Sequence, residues 1–250
     1  MLGTRSIPGP WPLKTALFTL PIVWLAACGA EPSASADPDE LPMSAACEAP
    51  GRGAPETISE ALALLDALPS PVSVACVIES LDRPLRVVAT RGTVSAQPAA
   101  SEASPRIFVL SGHLTMSIVP DGRGREVLEF GESDGAGQSV KGELFMPVET
   151  PVAPGKPFDH LRYNEHVTVC GLCHRDERLH PAAHHPNAYI SVAFRPLPRE
   201  LVTLPHLRAE ADACDPSTEA ERCEILSAVF DHGEVEAASF PDTYDTIVRP

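Results

Sequence analysis

Residues 114–130 read LTMSIVPDGRGREVLEF, and this stretch decides the fold class. In Leu114-Thr115-Met116-Ser117-Ile118 large apolar residues alternate with small polar ones, the period of a strand with one dry face and one wet face. Pro120-Asp121-Gly122 then supplies a fixed φ, a side chain that bonds its own backbone, and a residue free to take positive φ. Val127-Leu128-Glu129-Phe130 resumes an extended run, so the sequence predicts a β-hairpin here.

Similar short runs, rich in β-branched residues and separated by Pro, Gly, Asp or Ser, flank the hairpin at 72–78, 85–90, 106–110, 143–148, 166–169, 189–194 and 201–204. Together they make roughly nine strands at short spacing, which points to a sandwich or barrel-like core. Thr57-Ile58-Ser59-Glu60 has the spacing of a capping box, and Ile58, Ala61, Leu62, Leu65 and Leu68 follow at helical period until Pro69. A second helix is expected from Ser217 to about Phe230, with Gly233 beyond it, and the tail from Glu234 reads as irregular. The expected class is mainly β with two short flanking helices.

Ahead of this domain the composition changes. Residues 1–14 hold Arg5 and Lys14 and no acid, and Thr15 to Ala27 is an apolar run of signal-peptide length. At roughly 13 residues the run is too short to cross a hydrocarbon core, which needs about 20. Residues 29–54 are dominated by Ala, Pro, Ser, Gly and acids, a composition that cannot bury enough surface to order itself. The division is a leader at 1–27, a flexible tether at 28–54 and an extracytoplasmic domain at 55–250.

Leu25-Ala26-Ala27-Cys28 resembles the lipobox of bacterial lipoproteins. The resemblance implies cleavage before Cys28, acylation of that thiol, and a chain tethered to a membrane in the cell envelope, facing the periplasm or exterior. An ordinary secretory signal cut at the same small residues is the alternative. The net charge of -15 argues against electrostatic attachment and against nucleic acid as a partner, because both surfaces are anionic.

Seven cysteines less Cys28 leave six, and an exported compartment permits disulfides. Six cysteines allow fifteen connectivities, so pairing is not fixed by counting. Spacing suggests Cys214 with Cys223, worth about 2–3 kcal/mol, and Cys47 with Cys76, worth about 3–4 kcal/mol, in the chain-entropy model. Cys170 and Cys173 remain, in Cys170-Gly171-Leu172-Cys173-His174.

This CxxCH run resembles the haem-attachment motif of c-type cytochromes, in which two thiols bond the haem and the following His ligates iron. The resemblance covers five residues. It implies haem c on Cys170 and Cys173, with His174 on the iron and a distal ligand from His180, His184 or His185. Two departures stand against the ordinary cytochrome c fold. All four methionines precede the motif, and residues 165–169 read as strand rather than helix. Met146 lies in an alternating run and reads as core.

Zinc on Cys170, Cys173, His180 and His184 or His185 is a second reading, since two thiolates and two imidazoles can close a tetrahedron. A redox-active dithiol and a plain disulfide are further ones. No G-x-S-x-G, H-E-x-x-H, P-loop or G-x-G-x-x-G is present, and Glu126, Glu129, Glu132 and Asp134 read as a solvated face near turns. The functional expectation is an electron-transfer or haem-based redox lipoprotein whose acidic surface steers a basic redox partner. The alternative is a non-enzymatic envelope binding or structural module whose CxxCH holds zinc or a disulfide.

Overall fold

The computed structural model describes residues 47, 51–180, 185 and 187–246. Two helices come first, α1 (Ile58–Asp66) and α2 (Val74–Ser80), followed by β1 (Leu85–Thr90), β2 (Arg106–Ser111), β3 (Leu114–Ile118), β4 (Val127–Ser133) and β5 (Gln138–Phe145). After the single turn α3 (Lys156–Asp159) come β6 (Arg178–Leu179), β7 (Tyr189–Val192), β8 (Phe194–Arg195) and β9 (Leu201–Val202). Helices α4 (Leu204–Asp212) and α5 (Ala220–Phe230) precede the short strands β10 (Val235–Ala237) and β11 (Asp245–Thr246).

The protein is mainly β, as the alternation at 114–130 implies. Strands β1 to β5 form an antiparallel meander, extended by β7 and β6 to give the order β10-β1-β2-β3-β4-β5-β7-β6. The free edge of β1 is shared, with β10 running parallel along Leu85–Val87 and β9 antiparallel along Ala89 and Thr90. Separately, β11 pairs with β8.

Register assigns the two faces. The row Val87, Val109, Met116 and Phe130 is buried and belongs to the main apolar core, with α1, α2 and α5 supplying Leu65, Ile78 and Leu226. Glu132, at the edge of this face, accepts from Ile58 N–H at 2.8 Å and answers an orphan donor at the N-terminus of α1. The other face carries Thr90 and Arg106 on one row and Ser117, Glu129 and Glu143 on another, which is a polar row for a sheet to present. That face holds the candidate site.

Several expectations are corrected. Residues 72–78 were expected extended, but Val74–Ser80 is helix, capped by Ser73 accepting from Cys76 N–H at 3.1 Å. The segment is buried on all sides, so its apolar pattern carried no period to separate helix from strand. The extended run expected over 201–204 stops at Val202, where Thr203 caps α4 and Pro205 occupies its first turn. The tail expected to be irregular contributes β10 and β11. Helix α5 starts at Ala220 rather than at Ser217, which instead bonds Asp215 in a turn.

The lipobox Leu25–Cys28 lies outside the described residues. The far end of the expected tether lies on the domain, where Arg52 N–H donates to Ser80 O and Gly53 pairs with Leu81. Among the described residues no helix is long and apolar enough to cross a membrane.

Candidate functional site

The Cys170–His174 segment begins as a 3-10 turn, Val169–Leu172, not as the strand expected over 166–169. Asn164 Oδ1 accepts from the N–H groups of His166 and Val167, an Asx turn that diverts the chain before it can extend. Thr168 then caps the turn by accepting from Cys170 N–H at 3.1 Å. Its own N–H and hydroxyl both donate to the Glu177 carboxylate, at 2.6 and 2.5 Å. Glu177 therefore straps the two ends of the motif together. Gly171 is needed for this approach, because a Cβ there would stand 2.5 Å from Glu177 Oε2.

The loop is docked on β7 at Val192. Val192 N–H donates to Arg175 O at 3.0 Å, and His174 Nδ1 lies 2.8 Å from Val192 O. A carbonyl only accepts, so Nδ1 carries the proton and Nε2 keeps its lone pair. The imidazole also stacks on Phe194, with ring centres 4.9 Å apart. Burial pushes its pKa down to about 4, helped by the nearby Lys141 charge and opposed by the bond to Val192. His174 is therefore a neutral, oriented imidazole at neutral pH.

Beneath the loop is an open cavity of about 220 Å³. Cys170, Cys173 and His174 form one side, Phe108 and Phe194 supply aromatic wall, and Val94 and Val169 are wall residues that also reach solvent. The polar face of the sheet is its floor. Arg106 donates to Glu129 at 2.5 Å and to Ser117 at 2.8 Å, and also reaches Ser95. Glu129 lies directly across from Glu143 in the β4–β5 register, an unfavourable juxtaposition of like charges. Burial holds the Glu143 carboxyl above its ordinary range, while His160, 2.5 Å away, pulls the other way.

Lys141 stands on the same face of β5 as Glu143. Its ammonium donates to three backbone carbonyls, Ser139 at 2.9 Å, Ser191 at 3.0 Å and Val192 at 3.2 Å. Burial pushes it down to about 8. Cys170 is pushed up to about 12, chiefly by burial, which suppresses the thiolate that disulfide exchange requires.

Of the residues singled out from sequence, the structure bridges Cys47 to Cys76 and Cys214 to Cys223, and leaves Cys170 and Cys173 free. Cys76 sits in a helix, not in the strand expected for it. His180 and His185 are not on the cavity wall. His185 stacks on Phe158 and lies 3.6 Å from Asp159, and His180 has a buried Nδ1 without a hydrogen-bond partner among the described residues. His184 lies outside the described residues. Met146 is buried in the core. Among the described residues, the group of three His, Cys, Asp or Glu ligand atoms close enough to share an ion is Cys214, Glu219 and Cys223, whose thiols are already bridged. Cys170, Cys173 and His180 do not converge in that way.

The motif offers the two thiols and the imidazole that a c-type haem would need, but the cavity beside them does not enclose a macrocycle. One thiol is half-buried and the other exposed, Nε2 is the imidazole nitrogen not bonded to Val192, and the lining sets Phe108 and Phe194 beside the charged Arg106, Glu129, Lys141 and Glu143. The cavity volume of about 220 Å³ is below the roughly 300–1,000 Å³ of pockets that enclose drug-sized ligands, so a bound macrocycle would be largely exposed to solvent.

No protein-family model, curated protein or solved structure matches this chain. Sequence reasoning missed Arg106, Lys141, Glu143, His160 and Phe194, and read Glu129 and Glu132 as solvated. Glu129 is one-fifth exposed and ion-paired, and Glu132 caps α1. The available signal was parity: Glu129 occupies a wet-face position of the hairpin, and Lys141 and Glu143 recur at period two in β5.

Proposed function

We propose that the chain is a lipid-anchored envelope protein carrying one c-type haem on Cys170 and Cys173, with His174 as the iron ligand, in electron transfer or a haem-based redox role. The observation that carries this reading is the His174 Nδ1–H to Val192 O bond. A histidine that ligates metal almost always donates its other ring N–H to a carbonyl, carboxylate or water, which fixes the tautomer and aims the lone pair. Here that bond joins the last residue of a five-residue motif to a regular strand.

The haem supplies the one-electron chemistry when bound. The chain's own residues orient the ligand, through Val192 and Phe194, and hold the two thiols on one turn, through Thr168 and Glu177. The raised Cys170 thiol weighs against a dithiol oxidoreductase, and the scattered ligand atoms weigh against zinc. Anchoring through Cys28 places the domain at a membrane surface, where an acidic chain is served by a basic redox partner.

The test is the intact mass of the protein exported together with a haem-attachment system. One haem added to the wild-type chain, and none to Cys170→Ser/Cys173→Ser, is the expected result. A wild-type mass equal to that of the bare chain contradicts the reading.

A further inference from the structure

The tail beyond α5 returns across the polar face of the sheet. Ala238 N–H donates to Val87 O at 2.9 Å, and Phe240 and Tyr244 pack with Val88, Phe108 and Leu110. The crossing leaves a second cavity, of about 250 Å³, that shares no wall residue with the one under the CxxCH loop. Arg86 from β1, His113 from the β2–β3 turn, Thr115 from β3, and Ser239 and Thr243 from the tail line it. None of these five side chains has a hydrogen-bond or ion-pair partner among the described residues. No carboxylate lines the cavity among those residues either.

That combination is unexpected in a chain of net charge -15. Elsewhere on the domain Arg106, Arg175 and Arg195 are each held by an acid, Glu129, Asp245 and Asp242. Arg86 is not, although Glu236 of β10 is its register partner. Of the acids beside the wall, Asp134 is taken up by the Ala136 and Gln138 N–H groups at 2.8 and 3.0 Å, and Glu56 lies against Gly112 without lining the cavity.

We propose that this cavity binds a soluble tetrahedral oxyanion, a phosphate or sulfate group, gripped by Arg86 and the donors around it. A planar guanidinium fork matches two oxygens of such a group. The His113 imidazole and the Thr115, Ser239 and Thr243 hydroxyls can donate to the remaining ones. A carboxylate, with two oxygens, would leave most of these donors to water. The volume leaves room for a small organic group carried on the oxyanion. The acidic chain is repelled by an anionic bilayer, which favours a soluble ligand over a lipid headgroup. The site is separate from the CxxCH loop and does not depend on the haem reading.

The test is a titration of the purified protein with inorganic phosphate at constant ionic strength, followed by amide NMR shifts. Saturable shifts are expected at His113, Thr115 and Gly135. Arg86→Gln is expected to weaken binding about tenfold, the loss of one charge-assisted contact. Arg123→Gln removes the same charge from an exposed arginine outside the cavity and is expected to change binding by less than about twofold. Thr115→Val keeps the shape of the wall and removes one hydroxyl, so it too is expected to weaken binding. Shifts that do not saturate, or equal losses in Arg86→Gln and Arg123→Gln, would overturn the site. Acetate binding as tightly as phosphate would overturn the tetrahedral class, and competition by phosphatidylglycerol vesicles would overturn the soluble source.

Discussion

His174 is fixed by a bond whose direction chemistry dictates, and its acid sensitivity follows. Its pKa is about 4 in the folded chain against 6.5 ordinarily, chiefly because of burial. As pH falls the unfolded chain takes up this proton first, so the haem-free protein loses stability between about pH 6.5 and pH 4. The total loss is on the order of 3 kcal/mol. Urea midpoints of wild type and His174→Gln measure it, and parallel slopes across that window would contradict a buried neutral imidazole. Gly171→Ala drives a Cβ against Glu177, so the strap to Thr168 must give way, at an expected cost of about 1–3 kcal/mol. Haem attachment is expected to fall with it, read as the attached fraction by intact mass. At this scale the motif itself was legible because CxxCH is local. Lys141 and Val192 were not, since the contact between positions 141 and 192 depends on a sheet register that no short window contains.

At the scale of elements, the β3–β4 hairpin was readable because alternation and turn chemistry agreed. Helix α2 was not, because VACVIES is buried all round and its β-branched residues favour a strand locally. Tertiary burial overrode that preference, with α2 packed on α5. Helix α5 in turn depends on Arg222, whose guanidinium donates to Ser104 Oγ, Ala103 O, Glu210 and Glu219. Arg222→Ala is expected to cost about 2–3 kcal/mol, seen as a lower urea midpoint at unchanged slope. Arg222→Lys recovers little of this, because an ammonium cannot reproduce the planar fork. Opening the Cys214–Cys223 bridge beside it with two serines is expected to cost about 2–3 kcal/mol in the chain-entropy model. A loss below 0.5 kcal/mol, on the order expected of surface changes, would place Arg222 outside the network that holds α5.

For the whole molecule, a nine-strand sheet separates two tasks. One face is closed by helices and carries the main apolar core, and the other presents Arg106, Glu129, Lys141 and Glu143 to a cavity under the CxxCH loop. The class of fold was legible from strand count and spacing, whereas the cavity was not, since its walls come from β1, β2, β4, β5, β8 and the motif loop. The placement of charges on an inward-facing strand surface is a local inconsistency of the kind found at functional sites. The central claim, covalent haem at Cys170, Cys173 and His174, is tested most directly by the absorption spectrum of the exported protein before and after dithionite. A Soret band with a sharp reduced α-band that survives acid-acetone extraction, and that is altered in His174→Ala, is the predicted result. A colourless protein, or colour removed wholly by the extraction, would contradict it.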